Sequence, residues 1–123
     1  MTNYYSGIGS RETPEHILNI MHHIGAYLAN QGWTLRSGAA SGADASFEEG
    51  ANHEDGATEI YLPWEGFNFS KSPLHPKTYP FSDEEKTFAA QYHPNWKKCS
   101  PSARLLHQRN TRQLIGLEAI HGE

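Results

Sequence analysis

Two short turns rich in glycine, alanine and serine carry the residues best suited to bind an anion. The first reads Gly7-Ile8-Gly9-Ser10-Arg11, and the second, residues 35–44, reads Leu-Arg-Ser-Gly-Ala-Ala-Ser-Gly-Ala-Asp. Each lies between a short β-favouring segment and a helix-like run. A strand, a glycine-rich turn and a helix N-terminus bring backbone N–H groups and a positive dipole end to one point, which suits a phosphate. We therefore predict that the two turns lie side by side and form one ligand site.

The first turn offers both backbone and side-chain contacts. Gly7 and Gly9 allow a ligand to approach the backbone, Ser10 can donate to a phosphate, and Arg11 can pair with it through two N–H groups. The dinucleotide fingerprint is incomplete, because its third glycine and its acidic ribose partner about 20 residues further on are missing. The turn therefore indicates either phosphate binding or only a tight turn after a strand.

The second turn is the more specific of the two. Ser37, Gly38 and Gly42 are predicted to form the floor of the pocket, and Ser41 is a further candidate ligand contact. Asp44 falls in the first turn of the following helix, where it either caps the helix or accepts a hydrogen bond from a ribose hydroxyl. Arg36, at the end of the preceding strand, is expected to point toward the same edge.

Catalytic and metal-binding patterns are not evident. Glu48 and Glu49 are adjacent on a predicted helix and therefore diverge. The eight histidines form no HxH or HExxH pattern and no spacing typical of a Cys/His metal site. We assign no catalytic residue, no metal ligand and no cofactor, and we expect the chain not to be an enzyme.

Charge and cysteine content narrow the functional classes. The net charge is −4, which argues against general nucleic-acid binding. Residues 1–95 carry a net charge of −7 and residues 96–123 one of +3, so the basic end either contacts an anion or is a solvated face. The single cysteine, Cys99, excludes an internal disulfide and suggests the cytoplasm. No apolar run approaches the ~20 residues of a membrane helix, and no signal peptide is expected.

The elements that must position these residues follow from hydrophobic spacing and helix-end signals. Strands are predicted at residues 4–9, 33–36 and 58–62. Helices are predicted from Thr13 (as N-cap) to Gly32 (as left-handed cap), over 41–53, from Ser82 to Pro94, and over 102–117. Alternating strands and helices predict an α/β, Rossmann-like three-layer fold with a short parallel sheet of three strands, in one domain over residues 1–123.

Residues 63–82 are unlike the rest, with four prolines and five aromatic residues. Such a segment is neither a regular helix nor an ordinary linker. We interpret it as an ordered lid near the site or as an aromatic cover over the core. An aromatic ring within residues 64–69, with Trp64 as the named candidate, is available for stacking.

The last helix is predicted to present one apolar face, formed by Ala103, Leu106, Leu114 and Leu117. Asn110 falls on that face, with Arg109 and Arg112 on the adjoining stripe. A polar side chain within an apolar stripe needs a partner, which is either backbone of the glycine turns or a ligand.

Four stretches together resemble the SLOG superfamily. They are Gly9-Ser10-Arg11 before a proline-opened helix, the SGxAxGxDxxxxxGA-like segment 37–51, Ile-Tyr-Leu-Pro-Trp at 60–64, and Leu-His-Gln-Arg-Asn at 106–110. That superfamily unites the Rossmann domain of DNA-processing protein A (DprA) with the LOG phosphoribohydrolases. The stretches at 60–64 and 106–110 are similar to a DprA-like subgroup common in bacteriophages.

The resemblance implies a module that binds a nucleotide or a nucleotide-derived ligand, with its phosphate on Gly9, Ser10, Gly38 and Gly42. Arg11, Arg36 and Arg109 would supply charge, and Asp44 or Asn110 would contact a sugar or base. In a phage such a module would sequester a signalling nucleotide. One alternative is a DprA-like recombination mediator, with the basic end and the aromatic lid holding single-stranded DNA. A second alternative is the remnant of a LOG-like hydrolase.

The chain departs from the superfamily at its end. Its relatives continue with further βα units and another glycine-rich turn with an associated Glu, whereas this sequence stops at Glu123. The resemblance thus suggests truncation at the C-terminus and argues against hydrolysis. The first strand is expected to be an open edge of the sheet, and the resemblance implies a homo-oligomer.

Overall fold

The computed structural model describes residues 2–117, so the expected end at Glu123 lies outside the described residues. The elements are β1 (Asn3–Ser6), α1 (Glu15–Asn30), β2 (Trp33–Ser37), α2 (Ala43–His53), β3 (Thr58–Ile60), α3 (Asp83–Tyr92) and α4 (Pro101–Ile115), with single 3₁₀ turns at Phe67–Phe69 and Trp96–Lys98. The chain forms two compact units, a first unit up to Ile60 and a second unit from Tyr61 onward. The predicted α/β class is confirmed, and no helix within 2–117 is long and apolar enough to cross a membrane.

The sheet of the first unit is parallel, in the order β1-β2-β3. Asn3 lies opposite Trp33, and Ser37 lies opposite Ile60. The strands therefore end at one common edge, where the two glycine-rich turns begin. Among residues 2–117, β1 pairs only with β2 and is an edge strand, as expected. The homo-oligomer stays a prediction.

Close packing of α1 on α2 depends on two buried glycines. A Cβ on Gly25 would lie 2.6 Å from the carbonyl oxygen of Phe47, and a Cβ on Gly50 would overlap the carbonyl oxygen of His22. Because neither glycine has a side chain, the two backbones approach each other directly. The core beneath includes Leu35, Ala43, Ala51 and Ile60, all almost fully buried.

The boundaries of several elements differ from the prediction, and β1 ends at Ser6 rather than at residue 9. Thr13 is not the N-cap of α1, because its hydroxyl donates to the Ser10 carbonyl (2.7 Å) and Pro14 occupies the cap position. The predicted start of α2 at residue 41 was wrong, since Gly42 has φ 81° and ψ −124°, which is not helical. The third strand ends at Ile60 rather than at residue 62, because the Leu62 N–H donates to Leu74 instead (2.9 Å).

Helix ends with strong local signals were predicted correctly. Gly32 follows α1 with φ 82°, the left-handed conformation that glycine adopts without steric cost. Ser82 and Glu85 form a reciprocal capping box at α3: the Ser82 hydroxyl accepts the Glu85 N–H, and the Glu85 carboxylate accepts the Ser82 N–H.

The predicted apolar face of α4 was wrong. The buried residues of this helix are polar, namely Gln108, Arg109, Thr111, Arg112 and Gln113. Leu114 is 53% exposed and Asn110 is exposed. The second unit buries this polar face because it supplies matching acceptors, among them both carboxylate oxygens of Glu85 for Arg112 (2.6 and 3.0 Å). Buried charge is tolerated only when it is paired in this way.

Candidate functional site

The two glycine-rich turns are in direct contact, as predicted. The Ala43 N–H donates to the Ser10 carbonyl (3.1 Å), and the Ser37 hydroxyl donates to the Gly7 carbonyl (2.6 Å). A Cβ on Gly42 would lie only 2.6 Å from the Ser10 oxygen. Glycine is therefore required at position 42 both for its positive φ and for this close approach of the two backbones.

The N-terminus of α2 is partly closed to an outside anion. The Ala43 N–H is bonded to Ser10, and the Ala45 N–H donates to the Ala40 carbonyl (3.1 Å). A phosphate at this point would therefore meet few of the donors that make helix N-termini effective anion sites. The accessible part of the predicted site is its rim, whose exposed residues are Gly9, Ser10, Arg11 and Ser41.

Several predicted ligand contacts of the first unit lie in the interior. Ser37 is fully buried, Asp44 is 3% exposed, and Gly38 is buried. Asp44 also acts on its neighbour Glu48, because burial and the Asp44 carboxylate both raise the pKa of Glu48 above its usual range. Ser37 joins the two turns through its hydrogen bond to the Gly7 carbonyl, and all three residues present little surface to a ligand.

Arg36 joins the three strands of the sheet. Its Nε donates to the Glu59 carboxylate (3.1 Å), and its guanidinium lies 3.8 Å from the centre of the Tyr4 ring. Glu59 is the register partner of Arg36 on β3, and Tyr4 belongs to β1. The side chain is only 12% exposed, so its charge is largely used within the first unit.

The remaining predicted site residues belong to the second unit. Arg109 is 4% exposed, donates to the Tyr61 carbonyl (3.1 Å) and to the Asn110 side-chain oxygen (3.1 Å), and lies 5.4 Å from the Phe67 ring centre. Trp64 contacts the same Phe67 ring edge-on, with centroids 5.2 Å apart. Trp64 and Arg109 thus flank one aromatic ring. Within the second unit, the Asn110 side-chain oxygen therefore has a hydrogen-bond partner in Arg109.

Aromatic side chains of the second unit differ in their exposure, from 38% for Trp64 and 69% for Tyr92 to almost complete exposure for Phe69. Phe69 is 97% exposed, and both Asn68 (φ 49°) and Phe69 (φ 63°) have left-handed backbone conformations. For a bulky residue such a conformation is rare and strained by about 1–3 kcal/mol. The sequence indicated a stacking aromatic within residues 64–69, but the left-handed backbone that exposes the Phe69 ring leaves no sequence signal.

Charge is divided between the units. Residues 1–60 contain two Lys/Arg and eight Asp/Glu residues, whereas residues 61–123 contain eight Lys/Arg and six Asp/Glu residues. The net charges are therefore −6 and +2. Within the second unit, Lys97 and Lys98 are exposed on the 3₁₀ turn before α4.

Three metal-ligating side chains that the sequence did not connect meet in the second unit. Donor atoms of His93, Cys99 and His107 lie within 4.8 Å of one another, and all three residues are half-buried. The rings of His93 and His107 are 4.3 Å apart. Burial, together with the positive charge of His93 and Arg109, lowers the pKa of His107. Spacings of five and seven intervening residues match no common metal-binding pattern, so only the structure could reveal this group.

The chain belongs to the family of the DNA recombination-mediator protein A, whose sequence model matches residues 2–117. This agrees with the resemblance to DprA-like proteins seen in the turn motifs. No curated protein and no solved structure matches the chain.

Proposed function

We propose that the chain binds single-stranded DNA through its second unit, as a recombination mediator. The observation that carries this proposal is Phe69, whose ring is 97% exposed and held outward by two consecutive left-handed residues. Proteins that bind single strands stack bases on exposed aromatic rings, a contact that tolerates any sequence. Membership in the DNA recombination-mediator protein A family supports the same function.

The charge of the second unit also supports this function. A single strand needs cations along its phosphates as well as rings for its bases. Lys97 and Lys98 are exposed, and the loop that carries Phe69 adds exposed Lys71 and Lys77, the latter 3.4 Å from the Glu65 carboxylate. The negative charge that argued against nucleic-acid binding belongs to the first unit.

The test is fluorescence anisotropy with a labelled oligothymidylate, beside a duplex of equal length. Phe69→Ala is expected to weaken single-strand binding about 5- to 150-fold, because one base–aromatic stack contributes about 1–3 kcal/mol. The control is Tyr27→Ala, which removes a ring that is 63% exposed on α1 of the first unit. Equal affinity of Phe69→Ala and the unaltered chain would refute the proposal.

The same assay tests the contribution of the lysines. Replacing Lys97 and Lys98 by Gln is expected to weaken binding and to make its dependence on salt shallower. Each lost phosphate contact lowers the slope of log K against log salt by about 0.7 for a single strand. If the double substitution leaves the slope of log K against log salt unchanged, these two lysines do not contact the phosphates. Circular dichroism of the variant verifies that the fold is retained.

A second candidate function, nucleotide binding at the two glycine-rich turns, is favoured by one observation. The turns meet at the carboxyl edge of the sheet, where open α/β folds bind ligands, and leave Ser10 and Arg11 exposed at their rim. The ligand would then be contacted mainly by side chains, since the N-terminus of α2 is partly closed. Under this candidate function, the chain would be a phage protein that sequesters a signalling nucleotide.

Calorimetry with a panel of linear and cyclic nucleotides, followed by chromatography of the products, tests this candidate. Arg11→Gln is expected to reduce the heat of binding. The control is Arg104→Gln, which changes an arginine of the second unit that donates to the Trp96 carbonyl (3.0 and 3.2 Å). Unaltered nucleotide after binding supports a binder, and released base supports a LOG-like hydrolase. Absence of heat with every nucleotide would eliminate this candidate and leave the DNA proposal untouched.

A further inference from the structure

We propose that His93, Cys99 and His107 form a binding site for one thiophilic divalent metal ion, with zinc as the best fit. The proposal is independent of the DNA-binding function. It departs from the expectation that the chain has no metal ligand.

Three separate backbone segments bring the ligands together. His93 directly follows α3, Cys99 directly follows the 3₁₀ turn Trp96–Lys98, and His107 lies in the second turn of α4. The Trp96 ring adjoins both imidazoles, at 6.3 Å from His93 and 6.4 Å from His107. The site therefore spans the connection between the two helices.

The distances nearly match those of a tetrahedral zinc site. At a tetrahedral angle, zinc bonds of about 2.3 Å to sulfur and about 2.0 Å to nitrogen place the two donors about 3.5 Å apart. The Cys99 sulfur lies 3.8 Å from Nδ1 of His93 and 3.9 Å from its Nε2. Donor atoms of all three residues fall within 4.8 Å of one another. Because the sulfur is almost equally far from both ring nitrogens, closing the site around an ion requires the His93 ring to rotate until one nitrogen faces the ion.

The hydrogen bonds at the cluster are compatible with metal binding. The Cys99 thiol points toward the Asn95 carbonyl at 3.5 Å, a weak contact that a thiolate gives up readily. Nδ1 of His93 accepts the Asn95 N–H at 3.1 Å. Coordination through Nε2 preserves this bond, whereas coordination through Nδ1 replaces it.

The donor set selects the class of metal. One thiolate and two imidazoles are typical ligands of zinc, and three protein ligands leave a fourth position for water or another ligand. Magnesium and calcium prefer oxygen ligands and are not expected to bind here. A bound ion would fasten the end of α3 to the start of α4 and thereby rigidify the segment that carries Lys97 and Lys98.

Metal titration of the full chain tests the proposal. After treatment with a chelator, the chain is expected to bind one Zn²⁺ in competition with a chromophoric chelator. With Co²⁺ it is expected to show a thiolate-to-metal charge-transfer band and the intense visible bands of tetrahedral coordination. Magnesium is expected to leave both signals unchanged.

Variants identify the ligands. Cys99→Ser is expected to abolish the charge-transfer band, and His107→Gln to weaken Zn²⁺ binding at least tenfold, since even outer-shell partners contribute about 10- to 100-fold. His16→Gln, an exposed histidine of α1, is the control. Protection of the Cys99 thiol from a thiol reagent by Zn²⁺ supplies a readout in the unaltered chain. Absence of stoichiometric Zn²⁺ binding, a Co²⁺ spectrum without the thiolate band, or an equal effect of His16→Gln would overturn the proposal.

Discussion

Neutralising Glu85 is expected to destabilise the second unit strongly. Glu85 and Arg112 are both fully buried, and their side chains form a bidentate ion pair with distances of 2.6 and 3.0 Å. The same guanidinium donates to the carbonyls of Tyr79 (2.8 Å) and Pro80 (3.1 Å) and lies 4.3 Å from the centre of the Phe81 ring. The pair therefore fixes the C-terminal end of the aromatic segment 63–82 to α3 and α4.

The magnitude follows from what Glu85→Gln leaves behind. A glutamine can preserve the shape of the side chain and its capping hydrogen bond with the Ser82 backbone. It cannot neutralise the guanidinium of Arg112, and removal of one partner of a buried ion pair destabilises proteins by about 3–5 kcal/mol. The two carbonyl acceptors remain, so we expect a loss near the lower end, about 3 kcal/mol. This loss is a large share of the free energy of unfolding of a typical domain, which is roughly 5–15 kcal/mol.

Urea unfolding followed by circular dichroism measures this loss. Glu84→Gln, an exposed acid in the same helical turn, is the control and is expected to change the free energy of unfolding by less than about 0.5 kcal/mol. The double variant Glu85→Gln/Arg112→Met removes both charges and is expected to recover part of the stability. If the Glu85→Gln protein is as stable as the Glu84→Gln protein, Glu85 does not form a buried ion pair with Arg112.

Two further predictions concern the first unit. Gly42→Ala is expected to destabilise the protein by at least about 3 kcal/mol, because its Cβ would meet the Ser10 carbonyl at 2.6 Å. Gly32 also has a positive φ but has open space around it, so Gly32→Ala is expected to lower the free energy of unfolding by only about 1–2 kcal/mol. Equal losses for the two variants in urea unfolding would contradict the close approach at Gly42. Glu48→Gln is expected to stabilise the protein at neutral pH, because burial and Asp44 raise the pKa of Glu48 and disfavour its ionised form. This advantage should disappear as the pH falls through that raised pKa and the unaltered Glu48 takes up its proton; a constant difference across pH would refute it.

Local signals explain what the sequence predicted well. The order of strands and helices follows from hydrophobic spacing. The capping box of Ser82 and Glu85 and the left-handed Gly32 depend on residues within one turn of a helix. The contact between the two glycine-rich turns was also predictable, because neighbouring parallel strands must end at one edge of their sheet.

Long-range partners explain what the sequence missed. The polar face of α4 is buried because Glu85, 27 residues away from Arg112 along the chain, supplies its counter-charge. The Arg36 side chain is paired within the sheet because Glu59 and Tyr4 lie on the two neighbouring strands. The backbone approach at Gly25 and Gly50 likewise depends on how two helices cross, which no local pattern specifies.

The candidate sites show the same division. The sequence by itself determined the α/β fold, the two anion-suited turns and the aromatic character of the loop, because these depend on residue types at short spacing. Only the tertiary structure decided that the N-terminus of α2 is partly occupied by protein carbonyls, that the Phe69 ring is almost fully exposed, and that His93, Cys99 and His107 meet. Each of these facts depends on the path of the backbone between distant residues, which sets the distances on which hydrogen bonding, stacking and metal binding depend.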